Sequence, residues 1–119
     1  MKYFLTMLVF LMSASNAGAV EFVEATGKVT RMITSTDNYT TAYDVTDRGT
    51  FIFEVENLPN GCTGNPGRVI ITSDHKLYST VVAMIVSAKS MDKNVYVLAL
   101  KPCSNNPSAF DFGSLAISE

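Results

Sequence analysis

Five segments of the chain carry the two-residue alternation or short apolar run of a β-strand, and one carries a helical repeat. In "KVTRMIT", 28–34, Val29, Arg31 and Ile33 share one side, while Lys28, Thr30, Met32 and Thr34 share the other. That pattern predicts a half-buried strand. "TFIFEVEN", 50–57, sets Phe51, Phe53 and Val55 against Ile52, Glu54 and Glu56, which puts both glutamates on the expected wet face. "RVIIT", 68–72, is a short apolar strand. "NVYVLAL", 94–100, places Val95, Val97 and Ala99 opposite Tyr96, Leu98 and Leu100. Pro102 stops this strand, because proline has no N–H for the ladder. "SAFDFGSLAIS", 108–118, predicts a last strand with a bulge at Gly113. The polar stretch from 35 to 49 suggests a turn at Asp37-Asn38 and a short strand through 43–45. "LPNGCTGNPG", 58–67, has two prolines and three glycines and reads as a loop.

The helical segment is "DHKLYSTVVAMIVSAKSM", 74–91, with Ser73 or Asp74 available to cap its first turn and His75 within that turn. At 100° per residue, Leu77, Tyr78, Val81, Met84, Ile85, Ala88 and Met91 gather on a broad arc that suits the core. A narrower stripe holds Val82 and Val86, flanked by Ser79, Ala83 and Ser90. Its small residues permit close approach of another helix, so the stripe is a candidate face for self-association. Cover by loops or by the segment "VEFVEAT", 20–26, is the alternative within one chain.

The order strand, strand, strand, helix, strand, strand predicts a mainly β fold with one helix. It suits a five-stranded OB-type Greek-key barrel with the helix between strands 3 and 4. Closure would hide the strand edges. A five-stranded open sheet with one packed helix is the competing architecture.

Residues 1–19 read as a signal peptide: Lys2, the ten-residue apolar run "YFLTMLVFLM", and an A-x-A site at Ala17-Gly18-Ala19. That run is shorter than the roughly 18–20 residues that span a bilayer. A single domain over 20–119, secreted or periplasmic, is expected. Losing Lys2 leaves eight basic against eleven acidic residues, a net charge of −3, with no basic cluster. Nucleic acid and anionic membranes are therefore poor partners, and no membrane span is expected. Two cysteines in an exported chain predict one disulfide, Cys62–Cys103. Closing a loop of that size contributes at most about 4 kcal/mol.

The chemistry-bearing residues are sparse. His75 is the one histidine, and no G-x-S-x-G elbow supplies a nucleophile for it. Asp44 and Asp47 suit local Asx turns. "DNYTTAYD" lacks the glycine and terminal glutamate of a calcium loop. No catalytic, metal or cofactor residue is expected. The segment 34–46 is rich in Thr, Ser, Asn and Tyr, and includes Tyr39 and Tyr43. Hydroxyls, amides and an aromatic ring are the groups that hold sugars, and they are also ordinary loop composition. The triplet Asn38-Tyr39-Thr40 matches a glycosylation sequon at chance level.

Several stretches together resemble the B subunits of bacterial A–B toxins, especially the subtilase-cytotoxin type. They are "TGKVTRMIT", the cysteine loop, "RVIIT", "YSTVVAMIVSAKSM" and "KNVYVLALKPC", behind a secretory leader. The resemblance rests on element order and cysteine placement. It implies an OB-type barrel, a homopentameric ring with helices around a pore, host-glycan binding, and delivery of a separate enzymatic A subunit. In that family a small hydroxyl residue before the first strand's glycine contacts sialylated glycan, and Thr26 before Gly27 matches it. The family's tyrosine near the end of the post-helix strand is replaced by "LALKPC", with Tyr96 the nearest aromatic. The expectation is a ring-forming, glycan-binding delivery subunit using Thr26, Tyr39, Tyr43 and Tyr96. A monomeric protein-binding module, such as an enzyme inhibitor, is the alternative.

Overall fold

The computed structural model describes residues 20–40, 44–63 and 67–118. The segment 1–19, expected as a signal peptide, and Tyr43 lie outside the described residues. The fold is mainly β with one helix. Among the described residues six strands run β1 Phe22–Gly27, β2 Val29–Thr36, β3 Gly49–Val55, β4 Arg68–Thr72, β5 Val95–Leu100 and β6 Phe110–Ile117, with α1 at Tyr78–Ser90. They form one sheet in the order β1-β5-β6-β4-β3-β2. Every neighbouring pair is antiparallel except β4 and β6, which are parallel.

This corrects the expected closed five-stranded barrel, since the sheet has six strands and is open with β1 and β2 at its two edges, and the expected helix position, since α1 follows the fourth strand. The extra strand is β1, formed by the segment named above as an alternative cover for the helix. Only Lys28 separates β1 from β2, yet the two stand at opposite ends of the strand order. The bend between them is pinned by Glu56. Its N–H donates to the Lys28 carbonyl at 3.0 Å, and its Oε1 accepts from the Lys28 N–H at 3.0 Å. Gly27 is required there, because a Cβ would lie 2.8 Å from both Glu56 Cβ and Glu56 O.

The main core joins one face of every strand to the helix. Phe51, Phe53 and Val55 meet Val69 and Ile71, with Val95, Val97 and Ala99 across the sheet, and Val81, Ile85 and Ala88 come from α1. The alternation expected for 94–100 holds, as does the bulge in the last strand. Leu98 pairs with Ser114 and Ala99 with Phe112, leaving Gly113 as the extra residue.

Two patterns differ from expectation. A bulge places Thr30 unpaired between Val29↔Val55 and Arg31↔Glu54. One added residue reverses the facing of everything after it. Val29 therefore enters the main core, while Arg31 and Ile33 turn to the opposite face. The second difference is β3, which is buried on both faces: Ile52 and Glu54 are about as inaccessible as the phenylalanines beside them. Ala109 covers that outer side, packing with Ile52, Ile70 and the half-buried Ile33.

The helix starts later than its pattern. Residues 73–77 form turns, Leu77 is the N-cap residue, and no side chain caps the helix. His75 lies in these turns, its Nδ1 accepting the Leu77 N–H at 3.0 Å. Ser73 Oγ instead accepts the Gly49 N–H at 2.9 Å. The C-terminal end is a Schellman arrangement: Lys93 N–H donates to Ala88 O and Asp92 N–H to Lys89 O, with Asp92 at φ 56° where glycine is usual.

Candidate functional site

Three neighbouring strands present an ordered outer face. Because side chains of one face recur every second residue, the pairing of β2, β3 and β4 aligns them in cross-strand rows. Arg31, Glu54 and Arg68 form a charged row; Ile33, Ile52 and Ile70 an aliphatic row; Ser35, Thr50 and Thr72 a hydroxyl row. Ser35 Oγ and Thr50 Oγ1 are 2.9 Å apart and hydrogen-bonded.

Two loops wall this face. The turn at 37–40 carries Tyr39, whose side chain is exposed. That turn is tied down by Arg48, whose Nε donates to Asp37 Oδ2 at 2.8 Å, and by Asn38 Nδ2 donating to Asp47 Oδ1 at 3.0 Å. Arg48 also reaches Asp74 at 3.3 Å, and these bonds, first that to Asp37, raise its pKa. Asp74 sits below the ordinary carboxylate value, chiefly because it accepts the Thr72 hydroxyl at 2.6 Å.

The opposite wall is residues 104–109. Asp111 accepts from the backbone and side chain of both Ser104 and Asn105. Asn106 Oδ1 accepts from Ser108 N and Oγ at 2.8 and 2.7 Å. The Cys62–Cys103 disulfide is formed, and beside it Thr63 N and Oγ1 both donate to Pro107 O at 3.0 Å. The staple thus fixes the loop that makes one side of the concavity. Between the walls lies an open space of about 370 Å³, reached by Arg31, Tyr39, Arg68, Asn106 and Ser108.

The charged row is asymmetric. Glu54 is buried, with its side chain 7% exposed, against 18% for Arg68 and 61% for Arg31. Glu54 Oε2 lies 2.9 Å from Arg68 Nη2 and 3.9 Å from Arg31 Nη1. The closer pair is matched in charge but poorly aligned, so Glu54 Oε2 and the buried Arg68 Nε lack a well-directed hydrogen bond.

The other expected sugar contacts fall elsewhere. Thr26 and Tyr96 face each other in the β1–β5 register, both on the outer side of the sheet. The Tyr96 hydroxyl donates to Glu24, which raises its pKa above the usual tyrosine range. Asn57 Nδ2 donates to the Thr26 carbonyl at 2.9 Å. Tyr39 belongs to the walled concavity, not to this pair. Composition pointed to Tyr39, but Arg31 and Arg68 were missed as site residues. Their signal was spacing: each sits two residues before an isoleucine on its own strand, which places it on the same face.

A third feature lies along the helix. An open groove of about 410 Å³ runs between α1 and the strands, lined by Thr34, Phe51, Tyr78, Ser79, Val82 and Ala83. Val82 is half-buried and packs partly on the main core, while Val86 is 45% exposed. Ser79, Ala83 and Ser90 are exposed, with Ser90 Oγ donating to Val86 O at 2.8 Å. Leu77 and Met91, expected on the inner arc, are 47% and 56% exposed, because they lie just outside the helix ends.

Among the described residues, no group of three or more His, Cys, Asp or Glu could hold a metal, and no helix is long and apolar enough to cross a membrane. No family model, no curated protein and no solved structure matches the chain.

Proposed function

We propose that this chain is an exported OB-type binding domain that recognises host glycan and self-associates through α1, as the delivery subunit of a separate enzymatic partner. Counting β1 and β2 as one bent strand turns the six strands into five and puts α1 between the third and fourth. Counted so, one strand would pair with β5 in its first half and β3 in its second, which supports an OB-type reading of what is an open sheet. OB-type barrels bind oligosaccharides and oligonucleotides on their outer face, and the net charge of −2 disfavours the second.

The observation that carries the glycan reading is the walled outer face. An exposed tyrosine ring, an aliphatic floor and hydroxyl and amide groups converge there on one concavity, the mixture that an apolar-faced, hydroxyl-rimmed sugar ring requires. Self-association rests on the open helix stripe, which β1 leaves uncovered because it pairs with β5 instead.

A glycan array on the disulfide-intact protein, with mass in solution, tests both parts. Binding that Tyr39→Ala weakens, on a chain that is a multimer at micromolar concentration, is the expected result. Val86→Glu should yield a folded monomer; assembly that survives it removes α1 as the interface. A monomer that binds no sugar would overturn the proposal in favour of a protein-binding module.

A further inference from the structure

We infer that Asn60 is a site of spontaneous covalent modification. Its side chain cyclises onto the Gly61 nitrogen and reopens as isoaspartate, and the altered backbone loosens the wall formed by residues 104–109. The inference does not depend on what the concavity binds.

Asparagine is a chemically labile residue, and how labile depends on the backbone nitrogen that follows it. That nitrogen can attack the side-chain carbonyl carbon and close a five-membered imide, and a side chain on the following residue hinders its approach. Asn60 precedes Gly61, and no other asparagine of the chain precedes glycine. Asn65 and Asn106 precede prolines, which have no N–H to lose. After Asn57, the Leu58 N–H donates to Val55 O at 3.3 Å, and the Asn57 side chain is held by Thr26 O at 2.9 Å. After Asn38, the Tyr39 N–H donates to Thr36 O at 3.4 Å, and the Asn38 side chain is held by Asp47. Asn60 is instead exposed in the loop after β3, and no hydrogen bond holds its side chain among the described residues.

The fold itself keeps the labile pair. A Cβ at position 61 would overlap the ring of Phe110, which is buried at the start of β6 and pairs with Val69. Position 61 therefore takes only glycine, and glycine leaves the attacking nitrogen unshielded.

In the first step the bond from Gly61 N to Asn60 Cγ forms as the Cγ–Nδ2 bond breaks, and Nδ2 leaves as ammonia with the Gly61 proton. Water then opens the imide at the Asn60 backbone carbonyl. The sum is amide plus water to carboxylate plus ammonium, with the main chain rerouted through Cβ and Cγ and one methylene longer. The added carbon meets no slack. Leu58 is buried just upstream, Gly61 lies against Phe110, and Cys62 is joined to Cys103. Thr63 N and Oγ1 hold Pro107 O as well. Displacing Gly61 thus pulls on both attachments of the wall.

The test incubates the disulfide-intact protein at mildly alkaline pH and body temperature, then reduces it, cleaves with trypsin and weighs the fragment 49–68. The expected result is a gain of one mass unit located at position 60, at least tenfold faster than at any other asparagine. An isoaspartyl methyltransferase should label the product. Amide exchange across 104–109 should be faster in the converted protein than in fresh protein. Asn60→Gln keeps an amide but sets it one carbon too far for the five-membered ring. It should lose the conversion and keep the slow exchange, at the urea midpoint of the parent. Conversion at 60 no faster than at other asparagines, or only after unfolding in urea, overturns the site. Conversion that leaves exchange across 104–109 unchanged overturns the loosening of the wall.

Discussion

Replacing Glu54 by Gln keeps the volume of a buried side chain and removes its charge. Arg68, with only 18% of its side chain exposed, is then left without its counter-ion, while Arg31 at 61% simply stays in water. Removing one partner of a buried ion pair costs about 3–5 kcal/mol. Arg68 can still lean part of its guanidinium toward solvent, which reduces the expected loss to about 2–3 kcal/mol. For a domain of this length that is a fall in Tm of roughly 10–20 °C. Urea unfolding with the disulfide intact and an unchanged m-value measures it.

Two controls separate this cause from general damage at the site. Arg31→Ala removes the exposed partner and should cost no more than about 1 kcal/mol. The double change Glu54→Leu with Arg68→Met replaces the pair by apolar groups of similar size and should recover most of the loss, since desolvating the two charges offsets much of their attraction. A Glu54→Gln protein within about 0.5 kcal/mol of the parent would refute the reasoning. So would a double variant as unstable as the sum of its single changes.

The other expectations concern the bend and the staple. Gly27→Ala pushes a methyl group into the backbone oxygen of Glu56, which cannot move without opening the Lys28 hydrogen bonds. It should cost about 1–3 kcal/mol by equilibrium unfolding. The double change Cys62→Ala, Cys103→Ala should lower stability by about 2–4 kcal/mol. It should also speed amide exchange across 104–109, because the disulfide anchors that wall; unchanged exchange there would show that the Asp111 and Asn106 bonds suffice.

Much of the architecture was legible in local pattern. The alternation of Val95, Val97 and Ala99 fixed which face of β5 is buried, because a strand has only two faces to choose between. The glycine at 113 announced its bulge, and two cysteines left one possible pairing. The helix was visible from Tyr78, Val81, Ile85 and Ala88, although its start was placed four residues early. Turns at 73–77 bonded to β3 and β4 take the polar groups that would otherwise have capped it.

The candidate site was far less legible. Arg31 shares a two-residue period with Val29, so the sequence puts them on one face; the bulge at Thr30 separates them. No single residue type announces that bulge, since it arises where β2 leaves the bend and must come into register with β3. Glu54 looked solvated because a glutamate alternating with phenylalanines usually is. It is buried because β2 and β4 bring Arg31 and Arg68 against it from both sides. The sequence alone determined the mainly β class, the helix and the disulfide, because periodicity and cysteine number are local or countable. Tertiary structure decided the bend at Gly27, the reversal at Thr30 and the row Arg31–Glu54–Arg68, because each depends on which distant strand pairs where.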